Sequence, residues 1–232
     1  MKIKNLKQLD QAITECTLCP RLVEWREEVA VTKRKSYENE KYWGKPVPGF
    51  GPDNAELLIL GLAPGAHGAN RTGRVFTGDS SGDWLYRALH KAGLAKLPTS
   101  ENKNDGQELF KTRILCAVRC APPDNKPNND ERDNCAPYFR KELELLEPTA
   151  KSMLVLGNFA WTALFVQLQE MGYQIPKPRP KFGHGVVVNL HSPAGKSLRI
   201  VGSYHPSQQN TFTGKLTEKM LDTVIKRTEI TR

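Results

Sequence analysis

ELLILGLAPGAHGANRTGRVFTGD, residues 56–79, joins a short apolar run to a loop that contains five glycines and one proline. The apolar run at 57–60 is typical of a strand that is buried on both faces of a sheet. Glycines let a loop bring its backbone N–H groups close to a bound molecule, and proline fixes a bend. This stretch therefore predicts a buried strand that ends in a binding loop.

Further apolar runs alternate with amphipathic segments, which is typical of α/β proteins. Strands are predicted at 56–62, 111–119, 152–157, 185–190 and 197–204. Helices are predicted at 3–16, 83–93, 130–146, 158–168 and 213–227, the last one beginning near Thr213. Loops are predicted at 26–52 and 172–185. We therefore expect a single domain over residues 1–232, with a largely parallel sheet, helices on both faces and a ligand site at the carboxyl ends of the strands.

The 232 residues carry a net charge of +9. Such a charge is either a solvated basic surface or the footprint of a polyanionic partner, and it does not separate DNA from RNA. No apolar run reaches the length of about 18 residues that a membrane span needs, and the N-terminus lacks the pattern of a secretory signal. We expect a cytoplasmic protein that does not interact with membranes.

Five cysteines are an odd number for a disulfide framework, and they favour metal or redox chemistry in a chain without a secretory signal. Cys16 and Cys19 form a CxxC pair, and Cys120 and Cys135 flank a loop rich in proline and asparagine. The two pairs can share one centre, for which zinc, an iron–sulfur cluster and simple burial are the alternatives. Burial explains Cys116 well, because it lies in an apolar strand.

The glycine loop is not a phosphate-binding loop, because it has neither the GxxxxGK[ST] pattern nor GxGxxG. Its backbone N–H groups suit a flat, neutral ring that bears carbonyl oxygens. Phe76 can stack on such a ring or belong to the core, and Asn70 can be a polar contact or a turn residue. His205 follows the last strand at the same sheet edge, where it can stabilise a developing oxyanion or serve as a structural residue.

Three stretches together resemble the uracil-DNA glycosylase superfamily: GLAPGAHGANRTGRVFTGD at 61–79, CAVRCAPPDNKPNNDERDNC at 116–135 and YHPSQQNTFTGKLT at 204–217. They are most similar to the iron–sulfur branch called family five, or type B. The resemblance implies a three-layer α/β/α sandwich with a central four-stranded parallel sheet. It also implies base excision repair, with uracil and other deaminated or modified bases removed from DNA. The implied cofactor is a [4Fe-4S] cluster held by Cys16, Cys19, Cys120 and Cys135.

The resemblance assigns roles to residues at the sheet edge. Phe76 would stack on the base after its extrusion from the helix, and His205 would face the O2 atom of uracil. Backbone N–H groups near Ala63, Gly65 and His67 would stabilise the negative charge that develops on the base. Together these groups would form the base-binding pocket.

The resemblance also implies a surface for single- or double-stranded DNA. The loop at 206–212 would enter the minor groove and fill the place that the base leaves in the stack. The predicted DNA contacts are Arg71, Arg74, Ser207, Gln208, Gln209 and Asn210. We expect a monomer that acts at the nucleoid.

The chain departs from related branches at several positions of the predicted site. Leu62 stands where family four has a glutamate, and Ala63 stands where family one has an aspartate. The glycine loop holds no carboxylate before Asp79, so we expect Asn70 to orient the attacking water, since a dissociative reaction needs little help from a base. Cys116 takes a strand position where the family favours asparagine, and this change predicts weaker recognition of pyrimidines.

Two alternatives belong to other functional classes. A non-catalytic nucleic-acid binder would keep the fold and the cluster, and the missing carboxylate together with Cys116 favours it. A zinc-stabilised RNA-processing domain would use the same cysteines. Cleavage of uracil-containing DNA tests the first alternative, and the colour of the purified protein tests the second.

Overall fold

The computed structural model describes residues 2–232, which form a central five-stranded sheet between two layers of helices. The strands are β1 (Leu57–Gly61), β2 (Thr112–Cys116), β3 (Ser152–Leu156), β4 (Val187–His191) and β5 (Ser197–Ser203). Their order across the sheet is β2-β1-β3-β5-β4. The first four strands in that order are parallel, as predicted, and β4 adds an antiparallel edge because only a short turn joins it to β5.

The helices connect the strands and cover both faces of the sheet. Within residues 2–232 the α-helices are α1 (Leu6–Thr14), α2 (Pro20–Thr32), α3 (Ala69–Thr72), α4 (Ser80–Lys91), α5 (Asn129–Leu146), α6 (Asn158–Glu170), α7 (Gln208–Phe212) and α8 (Glu218–Lys226). None of these helices is long and apolar enough to cross a membrane.

Each face of the sheet has its own buried core. Leu9 of α1, Phe139 of α5 and Leu164 of α6 belong to the core on one face. Leu85 of α4 and Leu221 of α8 belong to the core on the other face. The predicted three-layer α/β/α sandwich is confirmed, with the antiparallel edge strand added to the four parallel strands.

The prediction of a loop over 26–52 is wrong for its first part, because α2 extends to Thr32. The buried stripe of α2 consists of Leu22, Arg26 and Val29. An arginine in the middle of this stripe interrupts the apolar periodicity by which a helix is recognised in a sequence.

The predicted helix at 213–227 is shorter than expected. It begins after Thr217, whose hydroxyl caps α8 by accepting a hydrogen bond from the N–H of Met220. Gly214 has a φ of +70° and separates α8 from the short helix α7, which was predicted as a loop. The polar tip that follows His205 is therefore helical.

The carboxyl ends of the four parallel strands lie at one edge of the sheet. Gly61 pairs with Cys116 across β1 and β2, and Leu156 pairs with Ser203 across β3 and β5. The glycine loop follows β1, and His205 comes two residues after the end of β5. Ligands of open α/β sheets bind at this edge, so the topology places the predicted site there.

Candidate active site and cysteine pocket

The rings of Phe76 and His205 lie together at the carboxyl edge of the sheet. Their centroids are 5.6 Å apart, and their planes meet at 29°. Phe76 comes from the glycine loop after β1, whereas His205 comes from the opposite side of the edge, after β5. The fold therefore brings together the two side chains that the sequence predicts around an extruded base.

Two glycines make room for Phe76, whose backbone is strained. Phe76 has a φ of +51°, a conformation that costs about 1–3 kcal/mol for a residue other than glycine and that clusters at functional sites. A Cβ at Gly61 would lie 2.8 Å from Cε2 of the Phe76 ring, and a Cβ at Gly82 would overlap its carbonyl oxygen. The edge of the aromatic ring therefore lies against the end of β1.

Cys116 lies beside this ring, at the end of β2. Its Sγ would be 3.6 Å from a Cβ at Gly61, with which Cys116 is paired in the sheet. The thiol is buried, and this burial raises its pKa to about 12. Cys116 thus presents a neutral, weakly polar thiol next to Phe76, away from the other four cysteines.

The glycine loop has N–H groups that are free to bind a ligand. The loop closes on itself, because the N–H groups of Gly68 and Asn70 donate to the Gly65 carbonyl at 3.2 and 3.0 Å. Within residues 2–232, the N–H groups of Ala63, Gly65 and His67 have no backbone acceptor. The three donors predicted for an oxyanion therefore have no competing partner in the backbone.

Asn70 is fully buried at the start of α3. Its Nδ2 donates to the carbonyl oxygen of Arg26 on α2, at 3.2 Å. Its Oδ1 has no hydrogen-bond partner among the described residues. A buried acceptor without a partner lowers the stability of the folded protein by about 1–3 kcal/mol. The Asn70 Oδ1 is therefore suited to accept a hydrogen bond from a ligand or a water molecule.

Asp79 is a carboxylate at this site to which the sequence analysis assigned no role. One of its oxygens caps α4 by accepting a hydrogen bond from the N–H of Gly82 at 3.0 Å. The other oxygen would lie 3.0 Å from a Cβ at Gly65 and would overlap one at Gly68. Desolvation raises the pKa of Asp79 above its ordinary value. The signal in the sequence is its position as the N-cap before the SSGD start of a helix.

His205 is half-buried and neutral at physiological pH. Desolvation lowers its pKa to about 4. Asn210 donates to the carbonyl oxygen of His205 at 2.8 Å, and a Cβ at Gly157, directly after β3, would lie 3.7 Å from the His205 Cβ. The imidazole is therefore held as an uncharged group that can donate a hydrogen bond.

Arg71 and Arg74, which were predicted to contact DNA, are both buried and have internal partners. Arg71 forms an ion pair with Glu40 and donates to the Gly78 carbonyl at 2.8 Å. Arg74 forms an ion pair with Asp105. The structure does not bring either guanidinium to the surface, and both arginines brace the glycine loop from within.

In the polar segment 207–210, which follows His205, two side chains are exposed and two form hydrogen bonds within the protein. Gln208 and Gln209 are exposed on α7, whereas Ser207 caps this helix by accepting a hydrogen bond from the N–H of Asn210. Phe212 at the end of α7 is 79% exposed. Phe212 lies within the predicted DNA-contacting loop 206–212, and an exposed aromatic side chain is suited to stacking with bases.

Four cysteines line one pocket between the N-terminal segment and the loop after β2: Cys16, Cys19, Cys120 and Cys135. Arg26 donates to Sγ of Cys120 at 3.0 Å, and Asn134 donates to Sγ of Cys19 at 3.6 Å. No three His, Cys, Asp or Glu side chains within residues 2–232 converge as ligands of a single ion. The pocket contains four sulfur atoms, and side-chain donors from Arg26 and Asn134 contact two of them.

Two buried arginines beside this pocket have unused donors. Arg119 forms an ion pair with Glu142, which Arg113 also contacts, at 2.7 Å. Nε of Arg26 and both Nε and Nη1 of Arg119 have no hydrogen-bond partner among the described residues. Unpaired donors around four cysteines fit a negatively charged group with several acceptors, such as a cluster with sulfide bridges.

Comparison with known proteins agrees with the geometry. The profile of the Uracil DNA glycosylase superfamily matches residues 48–229. The chain is 50% identical to the type-5 uracil-DNA glycosylase of Mycobacterium bovis, over 96% of this chain and 80% of the relative. It is 46% identical to the type-5 enzyme of Thermus thermophilus, over 90% of each chain, and 26% identical to a type-4 enzyme of Pyrobaculum aerophilum, over 88% and 83%. The chain belongs to the uracil-DNA glycosylase superfamily and, within it, to the type-5 branch.

Proposed function

We propose that the protein is a monofunctional uracil-DNA glycosylase, which hydrolyses the bond between uracil and deoxyribose at the start of base excision repair. The observation that carries this proposal is the pairing of Phe76 with a neutral His205 at the carboxyl edge of the sheet, in a chain of the type-5 branch. The partner is uracil-containing DNA, and we propose that the protein acts as a monomer in the cytoplasm, at the nucleoid.

Phe76 supplies the surface that receives the extruded base. Chemistry on a base inside a duplex requires its extrusion into a pocket, which costs a few kcal/mol. Stacking on one aromatic side chain returns about 1–3 kcal/mol. Because the Phe76 ring already packs against Gly61 and His205, little ordering is needed when the base binds.

His205 and the glycine loop stabilise the leaving base. Cleavage of the glycosidic bond leaves negative charge on the base, chiefly on O2 and O4. The neutral imidazole of His205 donates to one of these oxygens, and the N–H groups of Ala63, Gly65 and His67 are available to the base. Donors that are fixed in advance around a developing anion lower the free energy of the transition state without reorganising during the reaction.

Asn70 orients the attacking water. Its Nδ2 is held by the carbonyl of Arg26, so Oδ1 remains as a fixed acceptor. The cationic sugar of a dissociative reaction needs a well-placed water more than a strong base. Asp79 presses against the loop at Gly68 and holds the backbone on which Asn70 lies.

Cys116 widens the range of bases that the pocket accepts. A neutral thiol cannot match the paired donor and acceptor of an asparagine amide, so it recognises the edge of a pyrimidine weakly. We therefore propose that other deaminated or modified bases are also excised.

The four pocket cysteines fit a [4Fe-4S] cluster, which we propose as the resident cofactor. Cys16, Cys19, Cys120 and Cys135 would hold it, and the donors of Arg26 and Arg119 would face its sulfur atoms. Such a cluster would supply a structural crosslink between the N-terminal helices and the loop after β2. Glycosidic cleavage requires no electron transfer, so no step of the reaction uses it.

The outer surface of α7 is the proposed contact with the minor groove. Gln208 and Gln209 face outward, and Phe212 adds an exposed aromatic ring. Ser207 caps the helix and Asn210 links it to the carbonyl of His205, and we propose that both residues also contact the DNA.

An oligonucleotide with a single uracil tests the activity. After incubation with the protein, hot alkali should break the strand at the uracil position, because a monofunctional glycosylase leaves an alkali-labile site. A matched oligonucleotide with thymine should remain intact. Intact uracil-containing DNA in the presence of folded protein would instead identify a non-catalytic nucleic-acid binder.

A further inference from the structure

The segment 176–184, PKPRPKFGH, which we term the basic loop, lies between α6 and β4. Its cations, Lys177, Arg179 and Lys181, are all exposed, and the segment contains no carboxylate. Nothing in the proposed base-binding pocket uses this loop. The loop nevertheless ends next to the residue that precedes His205.

The basic loop is fixed to the body of the protein. Nε1 of Trp161 donates to the carbonyl of Pro180 at 2.9 Å, and the Phe182 ring packs against Trp161 with centroids 5.9 Å apart. The backbone also presses on β5, since a Cβ at Gly202 would lie 2.5 Å from the carbonyl oxygen of Gly183. The cations thus project from an anchored backbone.

The end of the basic loop touches the strand that leads to the pocket. The His184 ring stacks on Tyr204 with centroids 5.1 Å apart, and its Nδ1 accepts a hydrogen bond from the Tyr204 N–H at 3.2 Å. Tyr204 directly precedes His205. On the same tyrosine ring lies Nζ of Lys215, 4.9 Å from the centroid. The basic loop and Lys215 therefore flank the residue next to the catalytic histidine.

The cations of the basic loop, together with Lys215, have no carboxylate partner within residues 2–232. Arg179 donates only to the side-chain oxygen of Gln169, at 3.0 Å, and Lys177, Lys181 and Lys215 form no ion pair. By contrast, both arginines of the glycine loop are neutralised by carboxylates. Unneutralised cations on an anchored backbone that leads to the base-binding pocket are suited to phosphate groups.

We propose that the basic loop is a second DNA-binding element, in which Lys177, Arg179 and Lys181 contact backbone phosphates of the DNA strand on the approach to the extruded nucleotide. This inference rests on the proposed function, because it takes DNA to be the substrate. Contacts of this kind fix the position of the protein on DNA without reading its sequence. The basic loop would thus contact the DNA backbone in addition to the contacts proposed for α7.

The test compares a K177Q/K181Q variant with a K7Q/K111Q control that removes the same charge. Lys7 and Lys111 lie near the amino end of β2, at the opposite edge of the sheet. The probe is a fluorescent duplex with one uracil, titrated by anisotropy at several salt concentrations at low temperature. Each lost phosphate contact should lower the slope of log Kd against log salt by about 0.9, so the loop variant should lose close to two units.

The control variant should bind with the wild-type slope. The single variants K177Q and K181Q should each lower the salt slope by about half as much as the double variant. This proportional effect would not be expected if the double variant were misfolded. A loop variant that binds with the slope of the control would overturn the proposal. Because binding is also measured on a duplex without uracil, the result stands even where no cleavage occurs, and failure of the loop is distinguishable from failure of the glycosylase activity.

Discussion

The edge of the Phe76 ring lies against Gly61 at the end of β1, where a Cβ would be 2.8 Å from Cε2 and 3.0 Å from Cζ of that ring. The close approach explains why an apolar strand ends in glycine at this point. It also links the strand to the proposed chemistry, because the ring can keep this position only while residue 61 has no Cβ.

A Gly61→Ala substitution should therefore displace the Phe76 ring and reduce uracil excision. Stacking worth about 1–3 kcal/mol corresponds to a fall of roughly 5- to 150-fold in kcat/KM. Phe76→Ala should cause a loss of the same order. If both act through the ring, the double variant should be no slower than Phe76→Ala alone. Additive losses in that double-mutant cycle would show that Gly61 has a separate role.

His205→Ala should slow single-turnover excision by a factor of about 100 or more, because a donor to the developing anion is lost. Affinity for uracil-containing DNA should change little, since the anion is absent before cleavage. Rapid-quench kinetics with the enzyme in excess separate these quantities. A near-normal rate would assign His205 a packing role beside Phe76.

His205 should also make stability depend on pH. Its pKa is about 4 in the folded protein and 6.5 as the reference value, so between these pH values the unfolded chain binds a proton that the folded chain does not. The free energy of unfolding should therefore fall as the pH falls from 6.5 toward 4, by at most about 1.4 kcal/mol per pH unit. Urea denaturation at pH 7 and pH 5 measures the effect.

His205→Ala provides the reference for that measurement. Burial also lowers the pKa of His67 and of His184, so the wild type alone cannot isolate one histidine. The stability difference between wild type and variant should shrink as the pH falls from 7 to 5. A constant difference would mean that the His205 imidazole is solvated and titrates normally.

Much of the site follows from the sequence because parallel strands end at one edge. The continuous apolar runs identify the strands, and the residues that follow them, Phe76 and His205, must then come close together. Other features depend on partners that are distant in the chain. Arg71 and Arg74 are basic residues in a loop, and only the fold reveals that Glu40 and Asp105 neutralise them.

Two further features escape sequence reasoning for related reasons. Arg26 lies on the buried face of α2, where its side chain donates to Cys120 and its carbonyl oxygen accepts from Asn70. Because this buried position is charged, the apolar periodicity of the helix is interrupted in the sequence. Phe212 is exposed at the end of the short helix α7, although an aromatic residue is more often buried than exposed.

Cys116→Asn should sharpen the choice of base. An asparagine amide can pair with the edge of a pyrimidine, and it is left unpaired by a base with a different pattern of donors, at a cost of about 1–3 kcal/mol. The ratio of kcat/KM for uracil to that for hypoxanthine should rise by roughly 5- to 150-fold. Cys116→Ala is the matched control, because it removes the thiol without adding an amide. An equal ratio in both variants would contradict a role in reading the base.

Cys120→Ser should remove the proposed cluster, whereas Cys116→Ser should retain it. Cys120 lines the pocket with three other thiols and accepts a hydrogen bond from Arg26. Cys116 is the last residue of β2, does not line that pocket, and lies beside Phe76. Iron content and visible absorbance of the purified proteins provide the measurement. Cys120→Ser should also lower solubility and the thermal midpoint, because the crosslink between the N-terminal helices and this loop is lost. A stable Cys120→Ser protein that retains all of its iron would refute the ligand assignment, and a colourless wild type that contains zinc would replace the cluster with a zinc site.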